Sequence, residues 1–178
     1  MNFNIRLATI HDIPELMRLI PQSVRALSTD YYNAQQIESA VIHVFGVDTQ
    51  LIEDHTYFVA EAAGELVGCG GWSRRRTLYG GDQMKSEDDP LLDSAKEPAR
   101  IRAFFVHPDH ARKGIGRLII RACEEAAREA GFRSFDLVAT LPGEPLYAVM
   151  DYVVSERFES VLADGVKLPL ARMKKQLK

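Results

Sequence analysis

The stretch from Ala99 to Ala139 constrains the fold more than any other. An apolar strand, Ala99 to Val106, runs into a short glycine-containing turn and then the most regular helix of the chain, Gly114 to Ala130. Ile115, Leu118, Ile119, Ala122, Ala126 and Ala130 recur at helical spacing and form the expected buried stripe. Arg121 with Glu125, and Glu124 with Arg128, stand four apart on the wet side. Gly131 sits where a helix-ending glycine belongs, and Phe135 to Ala139 reads as the next strand. A helix between two strands is a crossover connection, which implies an α/β sandwich around a mixed sheet.

The remaining elements fit around this unit. Residues 3–8 alternate as a first strand. Thr9 followed by Asp12 resembles a helix-opening pattern, after which Ile13, Leu16, Met17 and Ile20 keep helical spacing, with Pro14 in the first turn. A second helix is expected over Ala34 to Val44. Thr56 to Glu61 and Leu66 to Trp72, joined at Gly64-Glu65, read as a hairpin. A short helix is expected around Pro145 to Met150, then strands near Tyr152–Leu162 and Val166–Met173. Between Arg74 and Pro98 lies a loop of unusual length, with three arginines (74–76) and an acidic patch, Glu87-Asp88-Asp89. Such loops are usually functional or mobile. The expected order is βααβββαβαββ, in a single domain spanning residues 1–178.

Composition excludes several classes. At 46% hydrophobic and 26% charged over 178 residues, the chain is ordinary for a packed domain. The formal net charge of −3 argues against a protein built to neutralise nucleic-acid phosphates. Apolar runs are far shorter than the roughly 20 residues of a membrane-spanning helix. The first residues carry no basic-then-apolar signal. Cys69 and Cys123 have neither metal-type nor redox-type spacing. A cytoplasmic, disulfide-free protein with no metal site is expected, without nucleic-acid or membrane partners.

The chemistry concentrates where the strand meets the helix. Val106-His107-Pro108-Asp109-His110-Ala111-Arg112-Lys113-Gly114-Ile115-Gly116-Arg117 brings a basic, glycine-bearing turn to a helix start. There the first backbone N–H groups lack partners and the helix dipole adds about half a positive charge. Glycines 114 and 116 let a diphosphate approach that backbone, and Arg112, Lys113 and Arg117 surround it. A P-loop would need Gly-Lys-Ser/Thr, but Arg117-Leu118 follows Gly116. A dinucleotide fingerprint would need glycine where Ile119 stands. Asp136 lies about 20 residues on, but near the start of its strand, away from the edge where a ribose would sit.

The run Val106-x-Pro-x-x-Ala-Arg-Lys-Gly-Ile-Gly-Arg-Leu resembles the acetyl-CoA-binding motif of the GNAT N-acetyltransferase superfamily, and the element order resembles that family from about residue 5 to 173. Ala111 replaces the usual Gln or Arg three residues before the first glycine. The resemblance implies a three-layer α/β sandwich with a central mixed, mostly antiparallel sheet. It also implies an acetyl-CoA or coenzyme A site formed by Phe104, Phe105, Val106, Ala111, Arg112, Lys113, Gly114, Ile115, Gly116 and Arg117. In the family the strand before the motif splays from its neighbour and its backbone pairs with the pantetheine arm and acetyl carbonyl. A later family motif, Tyr followed by Gly-Phe, resembles Tyr147-Ala-Val-Met-Asp151-Tyr152, with Asp and Tyr in place of Gly and Phe. This makes Tyr147 the implied general acid, protonating the departing thiolate.

The implied activity is direct acetyl transfer from acetyl-CoA to a primary amine, borne by a small molecule or peptide. The alternative is a CoA-binding sensor or interaction module without turnover. No general base stands out. Arg100 to Phe104 carries no carboxylate, and Asp30, Glu53, Asp54 and Glu144 remain unranked candidates acting through water. Tyr31 and Tyr32 are expected on the acceptor side, His107 as an exposed loop residue, and the arginines 74–76 and Asp88-Asp89 as solvated charge. A homodimer through C-terminal edge strands is a further expectation.

Overall fold

The computed structural model describes residues 2–85 and 88–178, so Glu87 of the acidic patch lies outside the described residues. Seven strands form one sheet: β1 (Asn4–Leu7), β2 (Tyr57–Ala62), β3 (Glu65–Ser73), β4 (Ala99–Val106), β5 (Ser134–Thr140), β6 (Val153–Val161) and β7 (Lys167–Gln176). Their order is β1-β2-β3-β4-β5-β7-β6. Every neighbouring pair is antiparallel except β4–β5, the two strands joined by the crossover helix. The helices are α1 (Ile13–Leu27), α2 (Ala34–His43), α3 (Thr49–Glu53), α4 (Ile115–Glu129) and α5 (Glu144–Ala148). Leu16, Ile20, Leu51, Tyr57 and Val59 pack on the α1–α3 face. Ile115, Ile119, Ile120, Phe135 and Leu137 pack on the α4–α5 face. Helices on both faces of a mixed, mostly antiparallel sheet make the expected three layers.

Strand β4 departs from regular pairing in two ways. It pairs with β5 only at Ala99↔Phe135 and Arg100↔Asp136, while β5 pairs along its whole length with β7 on its other edge. From Ile101 onward the two strands therefore splay. The closed end is clamped by Asp136, which is buried. Arg172 reaches it through Nε (3.0 Å) and Nη2 (2.5 Å), and Arg100 Nη1 lies 3.5 Å away. The second departure is a bulge. Cys69 pairs with Phe105 but Gly71 pairs with Arg102, so β4 carries one residue more than β3 over this interval. Ala103 absorbs it at φ 58°, a left-handed conformation that L-residues adopt at a cost.

Several expectations are corrected. The stripe on α4 is rotated by one position. Ile115, Ile119, Ile120, Cys123 and Ala127 are buried, while Leu118 and Ala130 are exposed and Ala122 and Ala126 half-buried. Both registers keep helical spacing, and contact with the sheet selects the one with two adjacent isoleucines. Glu124 does not pair with Arg128; it turns inward to Lys175 Nζ (2.8 and 2.9 Å) and the Tyr152 hydroxyl (2.9 Å), and Arg128 faces Glu125 instead. Met17 is exposed, and Leu19 and Val24 carry the apolar face of α1 with Leu16 and Ile20. The short helix α3 is an addition to the expected order; Asp48 opens it by accepting from the Leu51 amide.

Arg74, Arg76 and Asp88 are exposed, as expected of solvated charge, but other residues of the long loop are bound to the body. Arg75 holds Asp54 through Nε and Nη2 (2.7 and 2.9 Å), and Asp89 accepts from the Thr77 amide. Arg102 Nη2 donates to Gly80 O (2.5 Å) and lies 2.8 Å from Asp48, which Lys85 also contacts.

Candidate active site

The splay opens toward the turn that precedes α4. His107 ends the β3–β4 ladder with its amide on Val67 O, and its Nδ1 accepts from the Asp109 amide, so this half-buried histidine shapes a 3₁₀ turn over Pro108–His110. Ala111 donates to Pro108 O and is extended. Arg112 then takes φ 62° and Gly114 φ 92°. These two left-handed residues turn the chain so that the backbone amides from Arg112 to Arg117 have no acceptor among the described residues, the next amide, that of Leu118, donating to Gly114 O. Six consecutive free N–H groups at the start of a 15-residue helix form a strong anion cradle. A Cβ on Gly114 would meet nothing within 4 Å, so the turn's outer side is open. Arg112, Lys113 and Arg117 are exposed around the turn and form no ion pair among the described residues.

Gly116 serves a different purpose. A Cβ there would come within 2.6 Å of Leu146 Cδ2, so its absence lets α5 close onto the first turn of α4. Ile115 is fully buried beneath that turn. Tyr147, next to Leu146, is thereby brought to the splay. Its ring meets Phe104 of β4 and Tyr152 edge-on, each at 6.0 Å. Burial pushes its phenol above the ordinary range, with Cys123 adding to the shift, so it stays protonated at neutral pH.

Asp151 supports reading this segment as a Tyr…Gly-Phe variant. It adopts φ 69°, the left-handed conformation a glycine takes freely. Tyr152 is buried against Phe135, and the hydroxyl that distinguishes it from Phe donates to Glu124.

The predicted residues fall on three parts of this one place. Phe104, Phe105 and Val106 form the splayed half of β4, Ala111 to Arg117 the turn and helix start, and Tyr147 the wall from α5. Phe104 and Phe105 face opposite ways, toward Tyr147 and toward Phe45 (5.9 Å) respectively. The Val106 amide is already engaged, donating to Ser23 Oγ of α1 at 3.2 Å. In sequence Ser23 carries no signal of this role, reading as one more polar helix residue.

The other candidates do not converge. Tyr32 is buried; its hydroxyl donates to Pro169 O (2.6 Å) and accepts from the Leu141 amide (3.0 Å), and burial pushes it up to about 12. It fastens the α1–α2 connection to β5 and β7. Tyr31 is half exposed. Glu144 is held by Arg157 and Asp54 by Arg75, while Asp30 and Glu53 are exposed. None of these carboxylates is a free base at the splay. The α1–α3 face of the splay carries half-buried aromatics instead. Phe45 lies on Phe105, and Tyr79 lies near Phe158 (6.3 Å) with its hydroxyl 3.0 Å from Ser160 Oγ.

Residues 21–152 match the sequence model of the Acetyltransferase (GNAT) family. The chain belongs to that family. Acetyl-CoA-dependent acyl transfer is the family's activity. Solved structures agree on the fold. A GCN5-related N-acetyltransferase from Rhodopseudomonas palustris superposes with a TM-score of 0.73 at 19% identity, covering 99% of this chain and 97% of that one. PaiA N-acetyltransferase from Thermoplasma acidophilum, solved with coenzyme A, gives 0.64 at 15% identity, covering 99% of each chain. Ard1 from Thermoplasma volcanium gives 0.66 at 20%, covering 100% and 99%. No curated protein sequence matches the chain. Among the described residues no helix is long and apolar enough to cross a membrane, and no cluster of His, Cys, Asp or Glu is placed to hold a metal ion.

Proposed function

We propose that the protein binds acetyl-CoA along the splay between β4 and β5 and transfers its acetyl group to a primary amine. The row of six free amides from Arg112 to Arg117 carries this reading, because it supplies several aligned donors, a helix dipole and three unpaired cations for a diphosphate. Bound there, acetyl-CoA supplies the activated thioester. The strand backbone at Phe104 orients the acyl carbonyl and offers oxyanion-type stabilisation. Tyr147 holds a proton at Oη and delivers it to the leaving sulfur as the C–S bond breaks, and the proton lost by the attacking amine returns to the phenol through water.

The amine approaches from the opposite face of the sheet, where Phe45, Tyr79, Phe105 and Phe158 suit an apolar body. A cytoplasmic setting keeps the two buried thiols reduced. Pairing of two copies through the edge strand β6, whose Val153 and Val161 are exposed, is the form of homodimer this architecture favours.

The test is calorimetric titration of acetyl-CoA into the protein and into Tyr147→Phe, followed by thiol release with a panel of amines. Both proteins should bind at micromolar ligand, and the variant should turn over about a hundredfold more slowly. No binding at millimolar acetyl-CoA would overturn the reading. The pairing of Glu144 and Asp54 with arginines favours a second reading, a CoA-binding module without turnover. Tight binding with no thiol release by any amine would select it.

A further inference from the structure

The bulge in β4 is held from outside the strand. Ala103 sits at its centre, left-handed and without a partner residue in the register with β3. Two buried side chains meet its carbonyl from the α1–α3 face: the Tyr57 hydroxyl donates to it at 3.1 Å, and Cys69 Sγ approaches to 3.9 Å. Tyr57 belongs to β2, two strands away, so its ring must cross β3 to arrive. It does so at Gly71, where a Cβ would lie 2.8 Å from Tyr57 Cδ2. On the other side of the bulge, Phe104 lies over Gly70, where a Cβ would be 2.8 Å from its ring. Adjacent glycines in β3 thus clear room for the two rings that grip the bulge. Burial pushes the Cys69 thiol up to about 12, which keeps it protonated and leaves it a weak donor rather than a nucleophile.

We infer that Tyr57 is a positioning residue for acetyl transfer: its hydroxyl holds Ala103 in the bulged, left-handed form and thereby sets the direction of the following peptide, at Phe104, toward the acyl carbonyl. This rests on the proposed function. The physical reason is that a left-handed alanine is strained and reverts unless something over-determines it. Without the hydroxyl, the Ala103 carbonyl keeps only a distant thiol, and rotation of the 103–104 peptide removes both the strain and the orphaned acceptor. The amides beyond the bulge then change direction. The turn from Arg112 to Arg117, which holds the diphosphate, lies beyond the end of β4 and is left as it was.

The experiment compares the unaltered protein, Tyr57→Phe, and Tyr57→Phe with Ala103→Gly, all at a temperature where each is folded. Glycine takes a positive φ without strain, so it restores the bulge without restoring the hydroxyl. Tyr57→Phe should lower kcat for thiol release by about tenfold or more, with KM for acetyl-CoA moving by less than about threefold. Amide hydrogen exchange at residues 103–106 should quicken. The glycine variant should recover most of kcat and slow the exchange again. Equal losses in kcat and acetyl-CoA affinity, an unchanged kcat, or no recovery with glycine would overturn the inference, since a merely structural role predicts no rescue. Absence of thiol release by the unaltered protein would overturn the catalytic reading instead. The exchange comparison would still decide whether Tyr57 holds the bulge.

Discussion

Replacing Asp136 by Asn removes the one negative charge between Arg100 and Arg172 at the closed end of the splay. Asp136 and Arg100 side chains are 1% and 11% exposed and Arg172 is 30% exposed. Deleting one partner of a buried ion pair costs about 3–5 kcal/mol, because the other charge stays behind without compensation. Here two guanidiniums are left. Arg172 can turn partly to water, but Arg100 cannot, and burial already lowers its pKa. Asn keeps one acceptor oxygen but presents an amide donor to a cation. The expected loss is therefore near the lower end, about 3 kcal/mol, a large share of the roughly 5–15 kcal/mol typical of a folded domain. Urea unfolding should show a lower midpoint at unchanged slope. The exposed pair Arg25–Glu38 is the control, and Glu38→Gln should hardly move the midpoint. A loss below about 1 kcal/mol for Asp136→Asn would refute the idea that this cluster holds the two halves of the sheet together.

Gly114→Ala should cost about 1 kcal/mol of stability from its φ of 92° alone, since its Cβ would meet nothing. Gly114→Glu, which adds a carboxylate beside the free amides, should abolish acetyl-CoA binding in calorimetry with an unchanged circular dichroism spectrum, and retained affinity would remove the site assignment. Asp12 is drawn down to about 2, chiefly by its hydrogen bonds from Arg6. Its folded pKa lies below the unfolded one, so it adds about 2 kcal/mol above pH 4, lost as pH falls from about 4 to about 2. Arg6→Met should flatten that part of the stability–pH curve, and an unaltered curve would count against the pair.

The legible parts of the sequence were those written in local periodicity and turn chemistry. The crossover from Ala99 to Ala139 carries its own strand, cap and helix signals within 41 residues, and the structure reproduces all of them. The motif turn was legible for the same reason, because helix starts and glycines act within a few residues. The helix α4 shows the limit. Leu118, Ala122 and Ala126 satisfy a 3.6 period as well as Ile120, Cys123 and Ala127 do, and only the facing sheet decides between them. Charges were harder still. Glu124 and Arg128 have the spacing of a helix-surface pair, yet Lys175, 51 residues away, and Tyr152 take Glu124 because a half-buried carboxylate gains more from them than from a solvated partner.

The bulge in β4 lies beyond that limit, because it depends on residues from three strands. Nothing local marks Ala103, which is an ordinary apolar residue in an apolar strand, and Tyr57 reads as a core tyrosine. Their one trace is the pair Gly70-Gly71 in β3, where glycine is costly and side chains should be packing. A strand gives up two side chains when something else must occupy their space, and here Phe104 fills one face and Tyr57 the other. The resemblance at residues 106–118 points to the proposed diphosphate site but is silent about this arrangement, which lies on the strand before it. Under the proposed function, the sequence signal for the strand geometry at the site is displaced from β4 to the glycines of its neighbour.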